Sequence, residues 1–129
     1  LPLIKPPYSR LTAYDMNRGE IAWQTPTGPG ADRVRNPPAL ADLELPPLGG
    51  QMTTSGPLVT KNFVVLGLGP AGVEDSSSLV AYDKATGDVL SQVSLPARPL
   101  GTPMTYITDG RQFIALTLQG GQLVALTLP

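Results

Sequence analysis

The sequence has no cysteine and no histidine among its 129 residues. The lack of cysteine excludes disulfides, zinc–thiolate sites and a cysteine nucleophile. The lack of histidine removes the commonest metal ligand and the commonest general acid or base. Catalysis by side chains alone is therefore hard to assemble, and we predict no catalytic residue and no metal ligand in this chain.

Strong charge and long apolar runs are also missing. The net charge is −1, so the chain has no excess of basic residues for nucleic acid or an anionic membrane surface. No apolar run reaches the ~18 residues of a membrane span, and residues 1–10 lack the regions of a secretory signal. The sequence predicts no nucleic-acid partner and no membrane span. Because the chain does not begin with methionine, we expect it to come from a longer protein.

Turn-forming residues are abundant instead. The chain has 14 glycines and 15 prolines, while 41% of its residues are hydrophobic, enough to form a core. This composition is typical of many short segments separated by turns, and it predicts an all-β protein. A Pro/Gly-rich stretch at about 26–47 has weak periodicity and predicts a long surface connection.

Alternating apolar residues and β-branched content predict nine short strands and no helix of useful length. The strands are Arg10–Tyr14, Ile21–Thr25, Leu58–Thr60, Phe63–Leu68, Leu79–Tyr82, Val89–Leu95, Met104–Ile107, Phe113–Leu118 and Leu123–Leu128. Turn signals between them indicate hairpins that join antiparallel neighbours.

An internal repeat is the most informative pattern. Residues 11–21 align with residues 79–89: each is a strand, a turn with aspartate and glycine, and a second strand. A weaker third copy of the first strand covers residues 123–126. The first two copies are further apart than the ~40 to 50 residues of a propeller blade, and the Pro/Gly-rich stretch supplies the surplus.

The repeat resembles that of a known family. Ala13, Asp15, Gly19 and Trp23 are similar to the tryptophan-docking repeat of pyrroloquinoline-quinone (PQQ) dehydrogenases, Ala-x-Asp-x-x-Thr-Gly-x-x-x-Trp. The second copy keeps four of these positions but has a serine in place of the tryptophan; its residues are Ala81, Asp83, Thr86, Gly87 and Ser91. Segments 48–54, 101–106 and 109–113 resemble the C-terminal end of the glucose-dehydrogenase-like branch.

The residue types of the repeat have a structural interpretation. The aspartate can accept hydrogen bonds from turn N–H groups, and the glycine permits positive φ. Alanine leaves room for the neighbouring blade, and the tryptophan ring packs between blades with its N–H bonded to a carbonyl. We therefore predict that Asp15, Asp83 and Trp23 are architectural residues rather than catalytic ones.

The resemblance implies a fold and a chemistry. Residues 1–129 would form a partial β-propeller of antiparallel four-stranded blades, about two and a half blades long. Family members oxidise alcohols or aldoses, with hydride passing to PQQ beside a calcium ion and a carboxylate acting as base. The calcium ligands and the base lie upstream of the matched region, so we expect the isolated chain to be inactive, and the parent protein to be periplasmic.

Two glycine pairs are candidate cofactor contacts. By the same resemblance, Gly49, Gly50, Gly120 and Gly121 lie near the quinone, where small residues let the backbone approach the ring. The alternative is that all four are turn and strand-entry glycines. In that case the chain binds neither PQQ nor calcium by itself.

A glycine motif suggests a competing family. Residues 63–72 fit a strand followed by G-x-G-x-x-G, the pattern of dinucleotide-binding folds. That fold needs a helix at the glycines, and residues 73–78 are too few for one. We therefore interpret the motif as a loop between two blade strands. The acidic pair Glu74–Asp75 is interpreted as a solvated loop, because two carboxylates alone do not make a cation site.

A partial propeller leaves open sheet edges, since closure of the ring is what removes them. We therefore expect the chain to contact the remaining blades or to associate with itself. The first functional hypothesis is a part of a PQQ-dependent sugar or alcohol dehydrogenase. The alternative is a noncatalytic propeller module that serves as a binding scaffold.

Overall fold

The computed structural model describes residues 4–50, 55–71 and 77–127, and these form three antiparallel sheets. The first sheet has two strands, β1 (Arg10–Asp15) and β2 (Glu20–Pro26). The second has four strands in sequence order, β3 (Leu58–Val59), β4 (Phe63–Leu68), β5 (Ser78–Asp83) and β6 (Val89–Ser94). The third has β7 (Pro99–Thr108), β8 (Arg111–Leu118) and β9 (Gln122–Thr127).

This division of two, four and three strands confirms the predicted fold class of partial propeller blades. The strand bounds agree with the predicted ones to within two residues, except at β7, which begins at Pro99 rather than Met104. The register of β7 on β8 shifts between Leu100 and Met104, and Gly101 has a φ of +73°. The first half of β7 was not predicted, because its prolines, its glycine and the bulge interrupt the apolar pattern of a strand. The predicted residue Leu128 lies outside the described residues.

The two central strands of the second sheet, β4 and β5, are buried on both faces. One face packs against the third sheet and includes Val65 and Leu79, which form a cluster with Ile114, Leu116 and Leu118. The opposite face packs against the first sheet. Its buried residues are Val64, Leu66, Leu68, Val80 and Tyr82, with Leu11 of β1 against them. The three sheets therefore stack face to face, as blades of a propeller do.

Two tyrosines at the same position of the two repeat copies show how a neighbouring sheet buries a side chain. Tyr82 faces the first sheet and is 1% exposed, whereas Tyr14, at the same position of the preceding copy, is 64% exposed. The difference arises because no sheet of the described chain covers the Tyr14 face of the first sheet. Burial raises the pKa of Tyr82 above its ordinary value.

We expect the raised pKa of Tyr82 to limit stability in alkali. Above about pH 10 the unfolded chain releases the phenolic proton while the folded chain retains it, so stability falls as pH rises towards the folded-state pKa. In Tyr82→Phe the fall of the melting temperature between about pH 9 and 11 should be shallower. Tyr14→Phe, which removes an exposed phenol, is the matched control and should keep the wild-type slope. Equal slopes in all three proteins would contradict the prediction.

The connection between the first two sheets has some local structure. It contains a four-residue helix, α1 (Asp32–Arg35), and a 3-10 helix at Pro38–Leu40. The guanidinium of Arg35 donates to three backbone carbonyls of the connection, those of Pro29, Leu45 and Pro46. One side chain thus joins the two ends of this stretch.

The competing dinucleotide-binding interpretation is not supported by the topology. Gly67 lies inside β4, and β4 pairs with β5 in antiparallel register, with Leu68 opposite Ser78. A dinucleotide fold needs a helical crossover to a parallel strand at this point. Gly72, Glu74 and Asp75 lie outside the described residues.

Candidate functional site

The first repeat aspartate is bonded to its own turn. Asp15 Oδ1 accepts hydrogen bonds from the backbone N–H of Asn17 at 2.9 Å and of Arg18 at 3.1 Å. The N–H of Gly19, with φ +69°, donates to the Asp15 carbonyl at 2.8 Å. The carboxylate therefore fixes the β1–β2 turn.

The second repeat aspartate has the same arrangement. Asp83 Oδ1 accepts from the N–H of Ala85 at 2.7 Å and of Thr86 at 3.1 Å, and Gly87 N–H donates to the Asp83 carbonyl at 2.8 Å. Gly87 has a φ of +80°. Both aspartates thus have the structural contacts predicted from the repeat.

The tryptophan of the first copy docks on the turn of the second. Trp23 lies opposite Ala13 in the β1–β2 pair. Its indole N–H donates to the carbonyl of Lys84 at 3.0 Å. The ring covers Gly87 so closely that a Cβ added there would lie 2.5 Å from Trp23 Cε3. The predicted packing of this ring between two blades is therefore present.

The second copy differs at the docking position. Ser91 lies opposite Ala81, as Trp23 lies opposite Ala13, and it faces the third sheet. A cavity of about 530 Å³ lies there between the second and third sheets. The serine at a tryptophan position was a signal for this cavity in the sequence. The size of the cavity could not be read from it.

The first candidate glycine pair packs against the N-terminal segment. Gly49 is buried with φ +68°, and a Cβ there would overlap the backbone of Ser9. Gly50 is exposed with φ +96°, and its N–H donates to Ser9 Oγ at 2.6 Å. Ser9 Oγ also bonds Thr27 Oγ1. Gly49 therefore has a packing role, whereas Gly50 is accessible.

The second candidate pair forms the tip of the β8–β9 turn. Gly120 and Gly121 are exposed, with φ +87° and +75°. No other atom lies within 4 Å of a Cβ added at either position. The backbone of this turn is therefore open to a group that approaches it closely. A Cβ added at either glycine would not reach Gly49 or Gly50.

The segment before β3 and the segment before the β8–β9 turn both contact the first residues of β7 or those just before it. A Cβ on Gly56, just before β3, would lie 2.5 Å from Thr102 Oγ1 near the start of β7. At this end Pro99 pairs with Leu118, the last residue of β8, and Gln119 N–H donates to the Arg98 carbonyl at 2.8 Å. Gly50 precedes Gly56 by six residues, a span of at most about 22 Å.

The family model of the PQQ glucose/ethanol/alcohol dehydrogenase β-propeller domain matches residues 1–114. The chain belongs to this family. The predicted resemblance is thus confirmed at the level of the family.

Relatives in the family have different named substrates. The chain is 34% identical over 95% of its length to a probable quinate dehydrogenase (quinone) of Xanthomonas campestris pv. juglandis. It is 31% identical over 97% to a glycerol dehydrogenase large subunit of Gluconobacter thailandicus, and 30% identical over its full length to the quinoprotein glucose dehydrogenase of Escherichia coli K12. These alignments cover 15%, 17% and 16% of the respective relatives, so the chain spans about a sixth of their length.

The residues fit part of a site for the family's quinone. Gly50, Gly120 and Gly121 offer exposed backbone without side chains, which suits a flat ring. Within residues 4–50, 55–71 and 77–127, no three His, Asp or Glu side chains come together as a metal site. In the same ranges, no helix is long and apolar enough to span a bilayer.

Proposed function

We propose that the chain forms part of a PQQ-dependent sugar or alcohol dehydrogenase of the periplasm. It supplies blades of the propeller, and Gly50, Gly120 and Gly121 form part of the wall beside the quinone. Gly49 supports this wall by holding the segment against Ser9. The observation that carries the proposal is the open backbone of Gly120–Gly121 at the β8–β9 turn.

The incomplete sheets support a role as one part of a larger ring. The Tyr14 face of the first sheet is uncovered, and β9, the third strand of the last sheet, is an edge on which Leu123 is 70% exposed. In a closed propeller, the neighbouring blade buries the apolar face of a sheet, and closure of the ring pairs its open edge. The remaining blades, or a second copy of the chain, would cover these surfaces. The calcium ligands and the catalytic base would come from outside this chain.

The proposal predicts binding of PQQ at the β8–β9 turn. In equilibrium dialysis with calcium present, the purified chain should bind PQQ saturably. Gly121→Asp adds bulk and a negative charge at the backbone that the anionic quinone would approach, and aspartate tolerates positive φ. We expect binding to weaken at least tenfold. Gly121→Asn, which adds the same bulk without the charge, should weaken it less.

Gly110 provides the matched control. It has a φ of +73°, an added Cβ there would meet no atom within 4 Å, and it lies at the opposite end of β8, in the β7–β8 turn. Gly110→Asp should bind PQQ as the wild type does. No saturable binding by the wild-type chain, or equal loss in Gly110→Asp and Gly121→Asp, would contradict the proposed quinone wall.

A further inference from the structure

The cavity between the second and third sheets is lined mostly by apolar side chains. Its volume is about 530 Å³, within the 300–1,000 Å³ typical of small-molecule sites. Among the described residues that line it, Lys61 is the only charged one, and none carries a carboxylate. Residues from both sheets form the apolar wall, including Val65, Leu79, Val93, Ile114 and Leu126.

The internal repeat indicates what kind of group fits this cavity. Between the first and second sheets, the corresponding space holds the ring of Trp23, which covers Gly87 and lies opposite Ala13. Between the second and third sheets, the position of that ring is taken by Ser91, opposite Ala81. Ser91 and Ala81 both line the cavity. The cavity therefore adjoins the position that carries a tryptophan one blade earlier and a much smaller serine here.

We propose that this cavity binds one uncharged, planar aromatic compound with fused rings, for which indole is the simplest probe. The apolar side chains that line the cavity favour such a molecule, because its rings remove apolar surface from water when they bind. A multiply charged ligand would lose its hydration without finding paired charges there. The site is distinct from the proposed quinone wall, and the inference does not depend on the proposed function.

Titration of the chain with indole tests the inference. Calorimetry should show one saturable site per chain, and the methyl resonances of Val93, Ile114 and Leu126 should shift with the same affinity. In Ser91→Trp the tethered ring occupies the part of the cavity beside position 91, so indole binding should weaken at least tenfold. The melting temperature of this variant should rise, because the ring buries apolar surface between the two sheets.

Ser94→Trp is the matched control. Ser94 is exposed on the same strand, points to the opposite face of the sheet and does not line the cavity. This variant should bind indole as the wild type does. Absence of saturable binding, or unchanged affinity in a folded Ser91→Trp, would overturn the inference. If Ser91→Trp fails to fold, the wild-type titration decides: the inference is overturned if the methyl resonances that shift with indole belong to residues outside the cavity. Indole binding that competes with dimerisation would also overturn it, because a second copy would then be the occupant.

Discussion

Replacing Gly87 by alanine should lower the free energy of unfolding by about 3–4 kcal/mol. A non-glycine residue in the left-handed region costs about 1–2 kcal/mol, and Gly87 has a φ of +80°. The new methyl would also lie 2.5 Å from Trp23 Cε3 and displace the ring. Truncation of a buried tryptophan costs about 3–5 kcal/mol, and because Trp23 is half-buried we assign about 2 kcal/mol to the lost docking.

A double-mutant cycle separates the two contributions. In the Trp23→Ala background the methyl of Gly87→Ala has no ring to displace, so only the backbone strain of about 1–2 kcal/mol should remain. The coupling energy between the two sites should then be about 2 kcal/mol, within the range for residues in contact. Urea unfolding of the four proteins, followed by circular dichroism, gives all terms of the cycle.

Gly110→Ala is the control for backbone strain. Gly110 has a φ of +73°, and an added Cβ there has open space around it. Its substitution should cost about 1–2 kcal/mol with wild-type or mutant Trp23. If Gly87→Ala costs no more than Gly110→Ala, or if its cost is the same without Trp23, the indole does not dock on this turn in solution.

The docking of Trp23 could be predicted because it depends on local chemistry that a repeat makes visible. Aspartate and glycine at fixed offsets determine the turn, and the turn then presents a bare glycine to the ring from the preceding sheet. The strand pattern was equally readable, since apolar and β-branched residues mark eight of the nine strands to within two residues of their bounds. In β7 they do not, because a bulge near Gly101 breaks the period-two pattern.

The surroundings of the glycine pairs could not be predicted from the sequence. The contact between Gly49 and Ser9 joins segments some 40 residues apart, across the Pro/Gly-rich connection, and no periodic pattern encodes it. The same limit holds for the cavity beside Ser91, whose size depends on how two sheets pack. Sequence placed the four glycines near one function, whereas the structure separates a buried glycine from three exposed ones.

Gly49→Ala should be among the most destabilising single-methyl substitutions in the chain, at about 3 kcal/mol or more. The left-handed backbone of Gly49 accounts for about 1–2 kcal/mol. The rest arises because the methyl would overlap the Ser9 carbonyl, and a backbone group of a hydrogen-bonded segment cannot rotate away as a side chain can. The adjoining bond from Tyr8 N–H to the Leu48 carbonyl, at 2.7 Å, should weaken with it.

Gly50→Ala is the matched substitution one residue later. Gly50 also has a positive φ, +96°, but it is exposed, and an added Cβ would lie 3.7 Å from the nearest atom, Tyr8 Cβ. Only the strain of about 1–2 kcal/mol should appear in urea unfolding. A larger loss of unfolding free energy for Gly49→Ala assigns Gly49 to packing. Any weaker PQQ binding by that variant would then follow from displacement of the segment that contains Gly49 and Gly50. If both substitutions lower the free energy of unfolding equally, Gly49 has no special packing role, and it would then be a candidate contact of the quinone like Gly50.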